Sequence, residues 1–265
     1  MKKLAVLSLF DYTTETVKPW AEAGYICYCV DIQHPAGETR DGNIIRVGAD
    51  IYTYEPPTDV EIVIVFGFPP CTDLAVSGAK HFANKLAANP EYRNEAMALV
   101  YRVRDIAEAL GVPYYIENPV SVISSEWRKP NFTFHPWQYG GYIPACDAPH
   151  PLWPEHIAPR DAYPKRTCLW TGGGFEMPVQ MPVEVEDGYS RQFKQLGGKS
   201  LKTKNIRSAT PRGWAEAVFV KYAKRGGVNG TRFAHLHKVL NQLEREYSAA
   251  ERQSTLSFLR GEARV

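Results

Sequence analysis

Short apolar runs, each ending at a polar or proline-rich tip, recur along this chain. Residues 60–66 are apolar apart from Glu61 and show no alternation, the pattern of a strand covered on both faces, as in a parallel sheet. The run leads into Gly67-Phe-Pro-Pro-Cys71, where Pro69 and Pro70 hold the backbone extended. Residues 113–119, Pro-Tyr-Tyr-Ile-Glu-Asn-Pro, read as a second buried strand, and residues 3–10, 25–30 and 165–170 as three more. Helical spacing takes over elsewhere. Residues 16–23 form a helix stopped by Gly24, and residues 75–88 another. Residues 91–110 make a third, with Met97, Val100, Val103, Ala107 and Leu110 on one core-facing stripe. Beyond Gly227 the tail predicts an amphipathic helix with Phe233, Leu236, Leu240, Leu243 and Tyr247 on one face, then a short helix to Leu259.

Strands interleaved with helices predict an α/β fold with a mostly parallel sheet flanked by helices. Ligands of such sheets bind in the crevice beyond the carboxyl ends of the strands, so Cys71 and Glu117 are expected at the rim of one pocket. A thiol with a reference pKa of about 8.5 needs help to react as thiolate, and a neighbouring carboxyl can hold or deliver a proton. The opening strand, helix and second strand lead to Asp31, an acid placed to accept hydrogen bonds from the ribose of a nucleoside-containing cofactor.

Pro70-Cys71 after one strand and Glu117-Asn118 after a later one resemble the two central motifs of the DNA cytosine-5 methyltransferase family. Ser8-Leu-Phe-Asp-Tyr-Thr-Thr-Glu15 is similar in frame to the family's opening motif, Asp-Leu-Phe-x-Gly-x-Gly-Gly. Asn205-Ile-Arg-Ser-Ala-Thr-Pro-Arg212 is similar to its last, Gln-Ile-Gly-Asn-Ala-Val-Pro-Pro. The resemblance covers scattered motifs over residues 3–224. It implies a Rossmann-like methyltransferase fold, S-adenosylmethionine as cofactor, and DNA or a cytosine nucleotide as partner. It also implies that Cys71 adds to C6 of a flipped-out cytosine while Glu117 engages N3, with Pro70, Asn118 and Pro119 shaping the base pocket. On the cofactor side, Phe10 would stack on the adenine, Asp31 would hold the ribose, Asp50 and Ile51 would contact the adenine, and Ser208 would line the site. Residues 165–170 resemble the strand carrying the family's arginine pair. The strict frame puts Lys165 and Thr167 at those positions; a shift of one makes Arg166 the anchor for the cytosine carbonyl, the choice a planar fork favours.

One departure stands out. Tyr12, Thr14 and Glu15 occupy the three glycine positions of the opening motif, where backbone must approach the ligand without a Cβ in the way. These side chains are expected to narrow the space for the methionine part of S-adenosylmethionine, and Glu15 to face the cofactor's carboxylate unless it turns away. Two alternatives to methylation follow: the same cysteine chemistry with another one-carbon donor or a modified cofactor, and a catalytically silent nucleic-acid-binding protein.

The 44% hydrophobic and 23% charged content of the 265 residues is that of an ordinary globule with room for one α/β domain and an appendage. The division expected is a methyltransferase-like domain over residues 1–224, with about 171–204 as a reduced recognition region, and a helical C-terminal extension over 225–265. That extension would pack on the domain or on a second copy, giving a homo-oligomer. No apolar stretch is long enough for a membrane and no secretory signal is evident, so a cytoplasmic protein is expected. Five cysteines without a Cys-x-x-Cys point to free thiols. Cys146, His150 and His156 lack a standard zinc spacing, and no metal is expected. A net charge of +2 leaves nucleic-acid binding to a local patch, the glycine-broken basic loop over residues 194–207. Its Lys199, Lys202 and Lys204 would contact phosphates without reading bases. Gly198-Lys199-Ser200 resembles the end of a phosphate loop, but Phe193 stands where the first glycine belongs.

Overall fold

A computed structural model describes residues 2–185, 190–197 and 200–223. Lys199 and the expected helical extension over 225–265 lie outside the described residues. The chain forms an α/β fold around an eight-stranded sheet. Its strands are β1 (Lys3–Leu9), β2 (Ile26–Val30), β3 (Gly37–Asp41), β4 (Ile44–Gly48), β5 (Val60–Gly67), β6 (Tyr114–Asn118), β7 (Phe132–Phe134) and β8 (Thr167–Gly172). They lie in the order β3-β4-β2-β1-β5-β6-β8-β7. The central five, from β4 to β6, are parallel, as in a Rossmann-like sheet. β3 joins β4 as an antiparallel hairpin at one edge, and β8 runs antiparallel to both β6 and β7.

Both faces of the sheet are covered, which is why β5 carries no alternation. Ile62 and Val65 face one core, against Met97, Val100, Val103 and Ile106 of α3 (Tyr92–Leu110). Val63, Ile64 and Phe66 face the other, against Trp20 of α1 (Lys18–Glu22) and Trp214 and Phe219 of α7 (Arg212–Tyr222). The switch of face within β5 coincides with a register irregularity opposite β1. Gly67 lets α3 come close: a Cβ there would stand 2.4 Å from Val103 Cγ1. Gly111 ends α3 at φ 66°, its amide bonded back to the helix carbonyls.

Local structure departs from expectation in several places, the unforeseen edge strand β7 among them. The β3–β4 hairpin was not foreseen, although Gly42-Asn43 between its strands is a two-residue hairpin signal. Residues 75–88 split into a 3-10 turn (Val76–His81) followed by α2 (Phe82–Ala88). The expected basic loop instead holds two short helices, α5 (Arg191–Gln195) and α6 (Leu201–Ser208), capped by Ser190 and Ser200. Ser200 accepts from Thr203 N at 3.1 Å, a cap strong enough to start a helix in a lysine-rich segment.

Candidate active site

β1 and β5 are neighbours at the point where the strand order turns outward in both directions, the position where open α/β sheets bind ligands. Two segments leave the sheet side by side near there. β5 ends at Gly67 and passes through Phe68, Pro69 and Pro70 to Cys71, the first residue of a short 3-10 turn. β6 pairs directly with β5 in parallel, Gly67 opposite Ile116, so Glu117 leaves by the same edge. Buried Asn118 fastens the two exits together by donating from Nδ2 to Pro69 O at 2.9 Å. Val76 N to Val120 O (3.0 Å) and Val122 N to Leu74 O (2.9 Å) continue the seam beyond half-buried Pro119.

A cleft of about 240 Å³, open to solvent, lies beside this edge. Phe68, Glu117, Phe134, Lys165, Thr167, Trp214 and the stretch from Ser208 to Pro211 line it. Trp214 forms part of its wall, stacked on Phe134 at 4.3 Å.

The charges at this edge act on one another. Glu117 is held above the usual carboxylate range by burial, with Lys165 pulling it back. Cys71 is exposed and does not itself line the cleft, yet burial around its thiol raises its pKa, the charge of Glu117 adds to this, and Lys165 and Lys204 oppose it. Lys165 Nζ donates to Arg207 O at 2.9 Å, near the end of α6. Lys165 and Thr167 therefore face the cleft, as in the strict frame, whereas Arg166 is exposed and does not line it. The preference for Arg166 is corrected on this ground: adjacent residues of an extended chain point to opposite sides. Ser208 lines the same cleft, its hydroxyl bonded to Asn205 O at 3.3 Å. Lys202 and Lys204 are exposed on α6.

The loop after β1 holds two non-glycine residues in a conformation that favours glycine. Phe10 (φ 61°) and Thr14 (φ 60°) both take the left-handed conformation, which costs a non-glycine residue about 1–2 kcal/mol. Asp11 holds the loop in place. Its carboxylate accepts from Ser8 Oγ (2.8 Å), Thr13 Oγ1 (3.3 Å) and Thr14 N (2.8 Å). Burial raises its pKa to about 6. Glu15 does not face an open cofactor site: it is turned into the protein and paired with Lys18 at 2.5 Å. The chain supplies its own cation, so the anticipated clash with a cofactor carboxylate is removed. Tyr12 is the side chain left over the loop, stacked on His34 at 5.4 Å. Thr16 and Thr210 join this loop to the segment before α7 by a hydroxyl pair at 2.6 Å.

Among the other expected cofactor residues, Phe10 is half-buried and packs against the core at the tip of β1. Buried Asp31 bonds Gln33 N at 2.8 Å. Asp50 is exposed and caps a turn through Tyr52 N, and Ile51 is seated in the hydrophobic core. The fit to S-adenosylmethionine is thus divided. Phe10 and Asp31 stand at neighbouring strand tips where a nucleoside could be held, while Tyr12 takes up room beside the loop that bare backbone would leave free.

Cys146, His150 and His156 have separate surroundings. Cys146 is exposed. Buried His150 accepts at Nδ1 from the amides of Leu152 and Trp153, and burial lowers its pKa to about 4. His156 bonds Gln195. Among the described residues no group of three His, Cys, Asp or Glu side chains could hold a metal ion, and no helix is long and apolar enough to cross a membrane.

Two buried acids escaped the sequence reading. Asp11 carried no signal, lying at the variable position of its motif. Asp161 is fully buried and accepts from Gly213 N at 2.9 Å, with Arg212 adjacent in charge.

A scan against protein-family models and a search of curated proteins return no match for this chain.

Proposed function

We propose that this protein methylates C5 of cytosine in DNA through a covalent Cys71 adduct, with S-adenosylmethionine as donor, on a Rossmann-like methyltransferase fold. The observation that carries the reading is that Glu117 and Lys165 line one small cleft beside the switch point of the sheet, while Cys71, on the neighbouring strand exit, lies within electrostatic reach of both. Cys71 supplies the electron pair for a bond from sulfur to C6. Glu117 protonates or hydrogen-bonds N3, and the displaced electrons make C5 nucleophilic. A carboxyl with a raised pKa is suited to hold that proton near neutral pH. Loss of the C5 proton after substitution re-forms the double bond and expels Cys71. When bound, S-adenosylmethionine would supply an electrophilic methyl group, its nucleoside held by Phe10 and Asp31. A base inside a duplex cannot reach the cleft without leaving its stack. Lys202 and Lys204, exposed on α6 close to the site, support contact with phosphates.

Another one-carbon donor is the second reading, and a specific observation favours it: Tyr12, lying on His34, stands where a bulky amino-acid end of the donor would need open backbone.

DNA containing 5-fluorocytosine tests the chemistry, because fluorine cannot leave as the C5 proton does. With the correct donor, wild-type protein forms a denaturation-resistant adduct and Cys71→Ala forms none. An adduct that survives Cys71→Ala would move the nucleophile elsewhere and overturn the reading.

A further inference from the structure

We propose that Lys165 is a positioning residue, the fixed counter-charge for a single negative charge that Cys71 and Glu117 share. The purpose of this arrangement rests on the proposed function; the arrangement itself can be measured without it.

Lys165 and Glu117 line the same cleft. A lysine in open solvent is a mobile charge on a long stem, but this one is tied down. Its ammonium donates to Arg207 O at 2.9 Å. That carbonyl belongs to the last turn of α6, where helix carbonyls lack intrahelical partners and a cation is favoured. The tether uses one of three ammonium hydrogens and leaves two for the cleft. Other charges near the thiol do not replace it. Lys204, on the exposed face of α6, also favours the thiolate but less than Lys165, and Asp73, in the same 3-10 turn as Cys71, is matched by Lys85 at 2.5 Å.

One cation facing two acids favours a state with one negative charge. At rest the stronger acid, Glu117, carries it. Passing the proton from Cys71 to Glu117 breaks S–H, forms O–H and leaves the electron pair on sulfur. The net charge of the trio does not change, and Lys165 acts electrostatically on whichever group is ionised. The thiolate then appears at the same moment as a protonated Glu117, the two forms that attack at C6 and assistance at N3 require. Lys165 also opposes the raised pKa of both acids, as a shared counter-charge must.

The test is the pH dependence of Cys71 alkylation by iodoacetamide. It is run on the full chain carrying Cys146→Ser, which removes the other exposed cysteine, with the label located by mass spectrometry. Lys165→Met should raise the midpoint by about one unit and slow alkylation at pH 7.5 about tenfold. Lys165→Gln, a second neutral variant, should do the same, while Lys165→Arg should hold the midpoint near wild type. Glu117→Gln should lower it. An unchanged midpoint in both neutral variants, or an equal shift in Lys165→Arg, would overturn the proposal. Alkylation needs neither DNA nor donor, so its failure is distinct from failure of the fluorocytosine adduct. The expected midpoints in a protein that forms no adduct would support the charge arrangement while removing the proposed reaction.

Discussion

Asp161→Asn tests whether a carboxylate is held without water behind the site. Asp161 is 0% exposed. One oxygen accepts from Gly213 N, the other has no hydrogen-bond partner among the described residues, and Glu15 adds like charge nearby. Burial, the largest influence, lifts its pKa to about 6 against the pull of Gly213 and Arg212. In the unfolded chain the value returns to about 3.9. Between these two values the folded protein keeps a proton that the unfolded chain has lost. The stability linked to Asp161 is therefore highest below about pH 4 and falls as pH rises through about 6. A separation of about two units corresponds to about 3 kcal/mol. Asp161→Asn keeps an acceptor for Gly213 and carries no charge. Its stability relative to wild type should thus improve by up to about 3 kcal/mol between pH 4 and pH 8, or roughly 6–12 °C in melting temperature. Asp11, raised to a similar value, is present in both proteins and cancels in the difference. Chemical denaturation of the two proteins across this range is the assay. An offset that stays constant with pH would show that Asp161 titrates normally in the folded state and would refute the reasoning.

Two further outcomes follow from the site. Replacing Lys202 and Lys204 together by Ala should weaken DNA binding about equally for all sequences and reduce the slope of log affinity against log salt by roughly 2, seen by fluorescence anisotropy; an unchanged slope would mean that α6 faces away from the phosphates. S-adenosylmethionine should bind at only about −5 kcal/mol, in the high micromolar range, by calorimetric titration. Tyr12→Gly should tighten it about tenfold and Glu15→Gln should hardly change it, because Tyr12 lies over the loop while Glu15 is turned inward to Lys18. A strong response to Glu15→Gln would place that carboxylate at the donor.

The features legible in the sequence were those fixed by local pattern. Residues 60–66 announced a doubly covered strand because both faces of β5 are in fact buried. The stripe on residues 91–110 gave α3, and Gly111 its end. The shared edge of Cys71 and Glu117 needed only that their strands be parallel neighbours. What stayed hidden depended on distant partners or on a single step of register. A slip of one residue exchanges the faces of an extended segment, so Lys165 and Arg166 could not be ranked before the cleft was seen. The inward turn of Glu15 depends on Lys18 and on the burial of the whole loop. Between β7 and β8 the backbone is held by long-range bonds from Arg160 to Gly140 and Ile143, and from Arg212 to Asp147 and Ala148. Nothing nearby in the sequence announces them. The hairpin at β3 was missed because all five of its residues are exposed, leaving no apolar alternation to find.

The cleft has a consequence for the order in which the chain is made. Its walls come from residues as far apart as Phe68 and Trp214, and β8 must slot between β6 and β7 before Lys165 can face Glu117. At about 5–20 residues per second, a ribosome that has just added Cys71 needs roughly seven to thirty seconds more to reach Trp214. Through that interval the thiol is solvated and ionises more readily than in the folded protein, where burial and Glu117 raise its pKa despite Lys165 and Lys204. Its exposure to stray electrophiles in a crowded cell is therefore greatest before the domain is complete.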